Sequence, residues 1–262
     1  MSIVKDILSH SYTLRLLISR ELASRYKGTI MGVFWLFLQP LMMVIVYSFV
    51  FSVIMKVRVP GMDNSYHFAL YLMTAMMPFI AFQDALLSAS NSLFSSSSLL
   101  HKSTLPPILL PLVPMLSTVV TEVVALVIIM LATYLLLQQV SYYLLLLPIL
   151  VFVRLCLSVA IGYVLSILSV FIQDLRQALG LLLTMLMFLT PILYPVSMIP
   201  VEFLPINNLN PLYHLLDAYR ALILRGEMPG IGVLYVAAFS LLLLVLGVYF
   251  FQKTIARAKE FV

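Results

Sequence analysis

The sequence predicts an all-α, polytopic membrane protein with six transmembrane helices, on three observations. Of its 262 residues, 63% are hydrophobic and 10% are charged, whereas charged residues make up about 25% of an ordinary soluble domain. The run 29–55 contains 27 residues without Asp, Glu, Lys or Arg, and as a helix it would measure about 40 Å, which exceeds a hydrocarbon core of about 30 Å. Basic residues gather at the ends of this and later apolar runs, as the positive-inside rule describes.

The composition also excludes several classes of site. A net charge of +5 would suit a nucleic-acid-binding protein, but the charges lie at the ends of apolar runs and form no basic surface. The single cysteine, Cys156, excludes an internal disulfide, and the four histidines have no metal-ligand spacing, so no metal is expected. Nothing matches Gly-x-x-x-x-Gly-Lys-Ser/Thr, so we expect no ATP cofactor on this chain; in an ATP-driven transporter the nucleotide would sit on a separate subunit.

Residues 1–28 form the first of two predicted units, an amphipathic helix at the cytoplasmic membrane interface. The helix is expected over about 3–26, with Arg20 and Ser24 largely opposite an apolar face. Either a membrane anchor or a surface that docks a partner fits this pattern. The apolar face is predicted to contain Val4, Ile7, Leu8, Leu14, Leu17, Ile18 and Leu22.

Residues 29–262 form the second unit, which carries the six predicted spans. With the N-terminus in the cytoplasm, six crossings return the C-terminus to the cytoplasm. Ten Lys and Arg residues then lie inside and four, Lys56, Arg58, Arg220 and Arg225, lie outside, which agrees with the positive-inside rule. The spans are expected over about 30–55, 66–87, 108–137, 142–172, 178–198 and 231–252.

Two connections are long enough to have structure of their own. The inner segment 88–105 is polar and ends at Pro106, so it predicts a short cytoplasmic helix followed by a turn. The outer segment 191–230 combines frequent prolines with apolar residues. Irregular backbone at membrane depth survives only where protein or a water-filled cavity surrounds it. The outer segment therefore predicts short re-entrant helices between spans five and six, arranged as a lid.

Two ionisable residues fall well inside predicted spans. Glu122 lies about midway along span three, and Arg154 lies about ten residues from the outer start of span four. Antiparallel neighbouring spans would bring them to similar depth, where opposite charges relieve each other's cost. The pattern favours a structural ion pair over the alternative, a proton relay or a site for a charged substrate. Span four also repeats small residues at Ser158, Gly162 and Ser166, a spacing that lets helices approach closely.

Two blocks of residues carry a resemblance to a known family. The chain resembles the ABC-2-type permeases, which are the membrane subunits that export polysaccharides such as O-antigen and teichoic acid. The first block contains Arg20-Glu21, Arg25-Tyr26-Lys27-Gly28, Gly32, Trp35, Pro40-Leu41, Val46-Tyr47 and Val50-Phe51-Ser52. The second contains Asp174-Leu175-Arg176-Gln177, Phe188-Leu189-Thr190-Pro191-Ile192, Tyr194-Pro195, Asn210-Pro211-Leu212-Tyr213 and Asp217-Ala218-Tyr219-Arg220.

The resemblance implies a transporter subunit without its own nucleotide site, in the bacterial inner membrane. It implies a homodimer of this chain, two ATP-binding cassette subunits that hold ATP and Mg²⁺, and a lipid-linked polysaccharide of the O-antigen type as substrate. The segment 196–229 would gate the exit. Arg25, Lys27 and Arg176 become candidates to lie near the lipid-linked pyrophosphate. The residues expected to receive the ATPase's motion are Ser88, Asn91, Phe94, Leu100 and His101.

Aromatic residues form a candidate glycan conduit. Phe37, Tyr47 and Phe51 share one face of span one, and Phe188 and Tyr194 come from span five. Sugars stack their C–H groups on aromatic rings with few fixed polar contacts, so such a surface would let a polymer slide. Ordinary helix packing and lipid contact are the alternatives for these rings, and the resemblance favours the conduit.

Other functions stay open on the sequence alone. An ABC-2 permease for teichoic acid, capsule or a small hydrophobic drug would carry the same blocks. An ion-coupled carrier, with Glu122 as the titrating group, would need no ATPase. A membrane-embedded transferase would need surface carboxylates or a metal motif, and neither is legible in the sequence.

Overall fold

The computed structural model describes residues 8–54, 66–102, 105–138 and 141–261, except the side chains of Phe51, Ser52 and Lys102. Within these ranges the chain is helical apart from turns and short extended stretches, and no strand occurs in them, so the all-α prediction is confirmed there. The α-helices of the described ranges are α1 (Ser11–Arg25), α2 (Trp35–Ser48), α3 (Tyr66–Ser95), α4 (Ser97–Lys102), α5 (Leu109–Leu137), α6 (Leu147–Phe171), α7 (Asp174–Leu189), α8 (Leu204–Leu209), α9 (Pro211–Arg220) and α10 (Gly232–Ala258).

Four long helices are apolar enough to cross a membrane. They are α3, α5, α6 with its preceding 3₁₀ turn, and α10 with the 3₁₀ turn that follows it, and each has 29 or 30 residues. At about 1.5 Å per residue each exceeds the hydrocarbon thickness of about 30 Å. Large apolar side chains such as Val127 of α5 and Leu242 of α10 are exposed, as lipid contact requires. The protein is therefore a multi-pass membrane protein.

Two further helices cover the regions predicted as spans one and five. α2 is preceded by a 3₁₀ turn (Gly32–Phe34) and followed by a π-helical turn (Phe49–Ile54), so the helical path is nearly as long as the predicted run 30–55. α7 has 16 residues and measures about 24 Å, which is shorter than the hydrocarbon core. The predicted span 178–198 differs from the structure at its end, because the chain leaves the helix at Thr190, where extended backbone precedes Pro191.

The connections differ from the sequence prediction in one further respect. α3 continues to Ser95, so residues 88–95 extend a long helix, and the separate short helix of the inner segment is α4 alone. After α7 come 3₁₀ turns at Val196–Met198 and Val201–Phe203, then α8 and α9, and a π-helical turn at Ala221–Arg225. Frequent prolines keep these pieces short because proline removes a backbone donor.

The bundle has two ends, an α1 end where α1 packs and an α9 end where α9 packs. At the α1 end, Leu14 packs into a core with Leu93, Leu109, Tyr163 and Phe251. At the α9 end, α9 packs into a second core that contains residues of α3, α5, α6 and α10. Its members include Leu70, Leu72, Ile129, Leu150, Leu215, Leu222 and Val236.

The apolar residues of the predicted N-terminal helix do not all lie on one face. Leu14 is buried and Leu17 is partly buried against α5, whereas the side chain of Leu8 is 68% exposed. Leu8 precedes α1 and is separated from it by a turn at His10, whose backbone is not helical, so Leu8 and Leu14 do not share one helical face. The predicted single apolar face is therefore wrong for Leu8, and Val4 and Ile7 lie outside the described residues.

Small residues allow two close helix contacts. A Cβ at Gly162 would overlap the side chain of Met115 on α5, so the small-residue ladder packs inside this chain. A Cβ at Gly247 of α10 would overlap the backbone carbonyl oxygen of Ala160 on α6. These contacts draw α5 and α10 against α6, in keeping with small residues at membrane-helix interfaces.

Candidate functional site

Glu122 and Arg154 lie side by side in the interior of the bundle. Arg154 Nε donates to Glu122 Oε2 at 2.7 Å, and both side chains have no exposed surface. Arg154 Nη1 also donates to the hydroxyls of Thr118 and Ser158, at 3.4 and 3.3 Å. Antiparallel packing of α5 and α6 produces this contact. Among the described residues, Arg154 Nη2 has no hydrogen-bond partner.

A third residue completes this buried network. The Tyr219 hydroxyl, on α9, donates to Glu122 Oε1 at 2.8 Å. The short helix α9 is thereby attached to α5 and, through Glu122, to α6. Sequence reasoning missed this role, because a tyrosine in a proline-rich segment predicts no specific partner. The one indication in the sequence was that Tyr219 belongs to the Asp217-Ala218-Tyr219-Arg220 block, which is part of the family resemblance.

Arg220 is the second residue that the sequence did not place. It was predicted to lie outside with the loop charges, but only 1% of its surface is exposed. Its guanidinium donates to the carbonyl oxygens of Tyr71 (3.2 Å), Pro191 (2.8 Å) and Ile192 (2.9 Å). It also lies 3.5 Å from the centroid of the Tyr71 ring, a cation–π geometry. Arg220 thus joins α9 to α3 and to the chain just beyond α7.

The three predicted cationic candidates do not converge on one site. Arg25 lies 3.5 Å from Asp84 and 3.8 Å from Glu21, and its Nη2 donates to the Ser88 hydroxyl at 3.5 Å. Lys27 is exposed. Arg176 lies 4.2 Å above the ring of Phe94, so it joins the start of α7 to the end of α3.

The residues proposed to receive the ATPase's motion all lie at the α1 end, in different environments. Asn91 is exposed, and its amide donates to the Leu87 carbonyl at 3.4 Å. His101 is exposed, with ring nitrogens 2.9 Å from the Ser97 carbonyl and 3.1 Å from the Lys259 carbonyl. Leu100 is 5% exposed and belongs to the core, so its side chain is not available as a docking surface.

Two cavities with charged or polar groups in their walls open at the α1 end. One, of about 260 Å³, runs from Arg25 and Asp84 past Gln39 to the buried Glu122. The other, of about 290 Å³, lies between α1 and α3 and is lined largely by serines and by Arg20. Burial raises the pKa of the nearby Tyr26 phenol, while the charge of Arg25 opposes that rise. Together these cavities make the α1 end the more polar end of the interior.

The aromatic candidates fall into two groups. Phe37 is 48% exposed on α2, and Tyr47 is partly buried against the core at the α9 end. Phe188 is 57% exposed on α7, and the Tyr194 hydroxyl donates to its carbonyl at 2.9 Å, so these two lie together. The side chain of Phe51 is outside the described residues. Within one chain, α2 packs on α3 and α5, whereas α7 packs on α3 and α6.

Among the residues that the structure describes, no three His, Cys, Asp or Glu side chains lie close enough together to hold a metal ion. Apart from the hydroxyls of Thr118 and Ser158, the buried polar network is instead built from one carboxylate, one guanidinium and one phenol. Each of these groups is engaged by another helix, which suits a positioning role more than bond-breaking chemistry.

Comparison with known proteins gives the family. Residues 12–224 match the family described as ABC-2 type transporter. The chain is 28% identical over 245 residues to the O-antigen export system permease protein RfbA of Myxococcus xanthus, with 92% of each chain covered. It is 28% identical over 252 residues to a protein of the same name in Klebsiella pneumoniae, again with 92% of each covered.

A more distant relative is the polysialic acid transport protein KpsM of Escherichia coli. It is 22% identical over 242 residues, and the match covers 92% of each chain. The family match takes in both sequence blocks, the Glu122–Arg154–Tyr219 network and Arg220. This protein therefore belongs to the ABC-2 type transporter family.

Proposed function

We propose that this chain is the membrane permease subunit of an ATP-driven exporter of lipid-linked polysaccharide, of the O-antigen type, in the bacterial inner membrane. The observation that carries the proposal is its similarity, over 92% of its length, to O-antigen export permeases from two bacteria. The buried network agrees with this function, because it holds helices together and presents no group arranged for hydrolysis.

The topology proposed is six spans with both termini in the cytoplasm. α2 and α7 would complete the four long helices, and the α1 end would face the cytoplasm. The charges support this orientation. Arg15, Arg20, Arg25, Lys27 and Arg176 lie at the α1 end, whereas Arg220 is buried and no longer counts as an outer loop charge.

The working complex proposed is two copies of this chain with two ATP-binding cassette subunits, which would hold ATP and Mg²⁺. The partner subunits would push on α1, on the end of α3 and on α4. Arg176 on Phe94 would pass that displacement to α7, and a path would open between the two permease copies. The glycan would slide along Phe37, Tyr47, Phe51, Phe188 and Tyr194. Arg25 and Lys27 would face the lipid pyrophosphate.

A capsular polysaccharide is the second candidate substrate, because KpsM is also similar over 92% of the chain. The lower identity, 22% against 28%, favours the O-antigen type. An ion-coupled carrier fits less well, since Glu122 is occupied by both Arg154 and Tyr219.

The test begins with deletion of the gene. Lipid-linked polymer should accumulate on the cytoplasmic side of the inner membrane, and the polysaccharide should disappear from the cell surface. An affinity-tagged copy should restore export and co-purify with an ATPase. The purified chain alone, in vesicles without an ATPase, should not transport solute when an ion gradient is imposed. If it does, the proposal is wrong.

A further inference from the structure

A large cavity lies at the α9 end, between the end of α7 and the turns that lead to α8. Its volume is about 580 Å³. Its wall is mostly apolar and includes the rings of Phe188, Tyr194 and Phe203. Two amides, Asn207 and Asn210, also line it. The cavity therefore combines aromatic surface with a small number of polar groups.

The two amides differ in what they already bind. The Asn210 amide nitrogen donates to the Thr190 hydroxyl at 2.9 Å, and its oxygen accepts from the Leu212 backbone N–H at 3.0 Å. Asn207 is 6% exposed, and neither its Nδ2 nor its Oδ1 has a hydrogen-bond partner among the described residues. A buried amide without partners is unfavourable, and such groups call for an explanation by a ligand, a water or a function.

The chemistry of the lining selects among possible occupants. A lipid acyl chain would suit the rings but would leave Asn207 unpaired. A single water would bind the amide but occupies only about 30 Å³, far less than the cavity. A sugar ring satisfies both demands, because its hydroxyls donate to Oδ1 and accept from Nδ2 while its C–H face stacks on an aromatic ring.

We infer that this cavity is a glycan subsite at the exit of the transport path, with Asn207 as its polar contact. The inference rests on the proposed export function and adds to it a specific binding residue. Tyr194 already donates its hydroxyl to the Phe188 carbonyl, so it contributes its ring and not its proton. The aromatic rings supply affinity for any sugar, and Asn207 supplies preference for a particular arrangement of hydroxyls.

The test compares two neighbouring asparagines in the complex of this chain with its ATPase, in lipid nanodiscs. Asn207→Leu keeps the side-chain size and removes the amide; Asn208→Leu, at an exposed position on the same helix, is the matched control. The probe is a pool of short oligosaccharides released by mild acid from the host's own surface polysaccharide. Saturation-transfer NMR measures binding.

The wild-type complex and Asn208→Leu should give equal saturation-transfer signals, and Asn207→Leu should lose most of its signal. Thermal unfolding separates binding from folding, because removing an unpaired buried amide should leave Tm unchanged or raise it. Phe203→Leu serves as a second variant at an exposed ring, and it should weaken the signal several-fold.

Two results would overturn the subsite. An equal signal in the wild-type complex, Asn207→Leu and Phe203→Leu would mean that the sugar binds elsewhere. No signal in the wild-type complex would mean that water or acyl chains fill the cavity. Either result leaves the deletion phenotype unaffected, so failure of the subsite is distinguishable from failure of the export function.

Discussion

The Tyr219 hydroxyl donates a 2.8 Å hydrogen bond to Glu122 Oε1, although 97 residues separate the two in sequence. Arg154 holds the other oxygen of the same carboxylate at 2.7 Å. Side chains from three helices, α5, α6 and α9, thus meet at one buried carboxylate. The next residue, Arg220, binds three carbonyl groups from α3 and from the chain beyond α7. Two consecutive residues therefore fix α9 to the long helices.

Tyr219→Phe should destabilise the protein by about 1–2 kcal/mol, because it removes a hydrogen bond to a buried carboxylate and preserves the ring. Thermal unfolding of the purified protein measures the change. Tyr235→Phe is the control: its hydroxyl donates to the Leu209 carbonyl at 3.3 Å in an exposed position, so its effect should be smaller. Equal effects of the two substitutions would contradict a special role for Tyr219.

A charge exchange tests the ion pair. Glu122→Arg or Arg154→Glu alone places two like charges in the interior, and each should cost about 3–5 kcal/mol or prevent folding. The double variant restores opposite charges and should recover part of the expressed, folded protein. Fluorescence-detected gel filtration in detergent gives the yield. A double variant no better than either single one would show that the two residues do not act as a pair.

Arg220→Lys should destabilise the protein by at least about 3 kcal/mol, because one ammonium cannot bind three carbonyls and stack on Tyr71 as the planar guanidinium does. The matched control is Arg225→Lys. Arg225 contacts Asp217 through two 3.0 Å bonds at a half-exposed site, so its replacement should cost less than about 1 kcal/mol. If the Arg220→Lys variant unfolds at the same temperature as the wild-type protein, Arg220 is not a structural anchor.

Gly247→Ala should destabilise the contact between α6 and α10 by about 1–3 kcal/mol, since the new Cβ overlaps the Ala160 carbonyl oxygen. Gly180→Ala is the internal control, because a Cβ there meets no atom within 4 Å. On helix propensity alone it should stabilise by about 0.5–1 kcal/mol. The two Tm shifts should have opposite signs; a shared sign would contradict the close approach at Gly247.

Tyr47→Ala with Phe51→Ala should lower the amount of polymer exported per ATP hydrolysed, because the sliding surface on span one loses two rings. Pulse labelling of surface polysaccharide together with ATP hydrolysis by the purified complex measures that ratio. Tyr134→Ala is the control, at a 53% exposed position of α5. An unchanged ratio in the double variant would remove the conduit from this helix.

Several elements followed from the order of residues in the sequence. The apolar run predicted over 108–137 appears as the helix Leu109–Leu137, because side-chain hydropathy and length are local properties. The sequence predicts Glu122 and Arg154 as partners, because a charge at membrane depth needs an opposite charge. Their contact geometry required only that two consecutive long helices pack antiparallel.

Other features depended on distant contacts and could not be predicted from the sequence. α7 ends at Leu189, and just beyond that end the Ile192 carbonyl accepts a hydrogen bond from Arg220, which lies 28 residues after Ile192 in the chain. In the sequence, Arg220 has the pattern of an exposed loop charge, but its side chain is buried. Nothing in the sequence pointed to Asn207, because the lack of a hydrogen-bond partner can be recognised only when the surroundings of the amide are known.

The sequence by itself determined that the chain lies in a membrane, where its long helices begin to within a few residues, and which family blocks it carries. Those properties depend on runs of side chains that are neighbours in the sequence. The tertiary structure alone decided that Tyr219 and Arg220 anchor the short helices, and that an aromatic cavity surrounds an unpaired amide. The anchoring depends on contacts between residues far apart in the chain, and the cavity depends on how the turns between α7 and α9 fold together. Burial makes such contacts energetically decisive, and no local pattern encodes them.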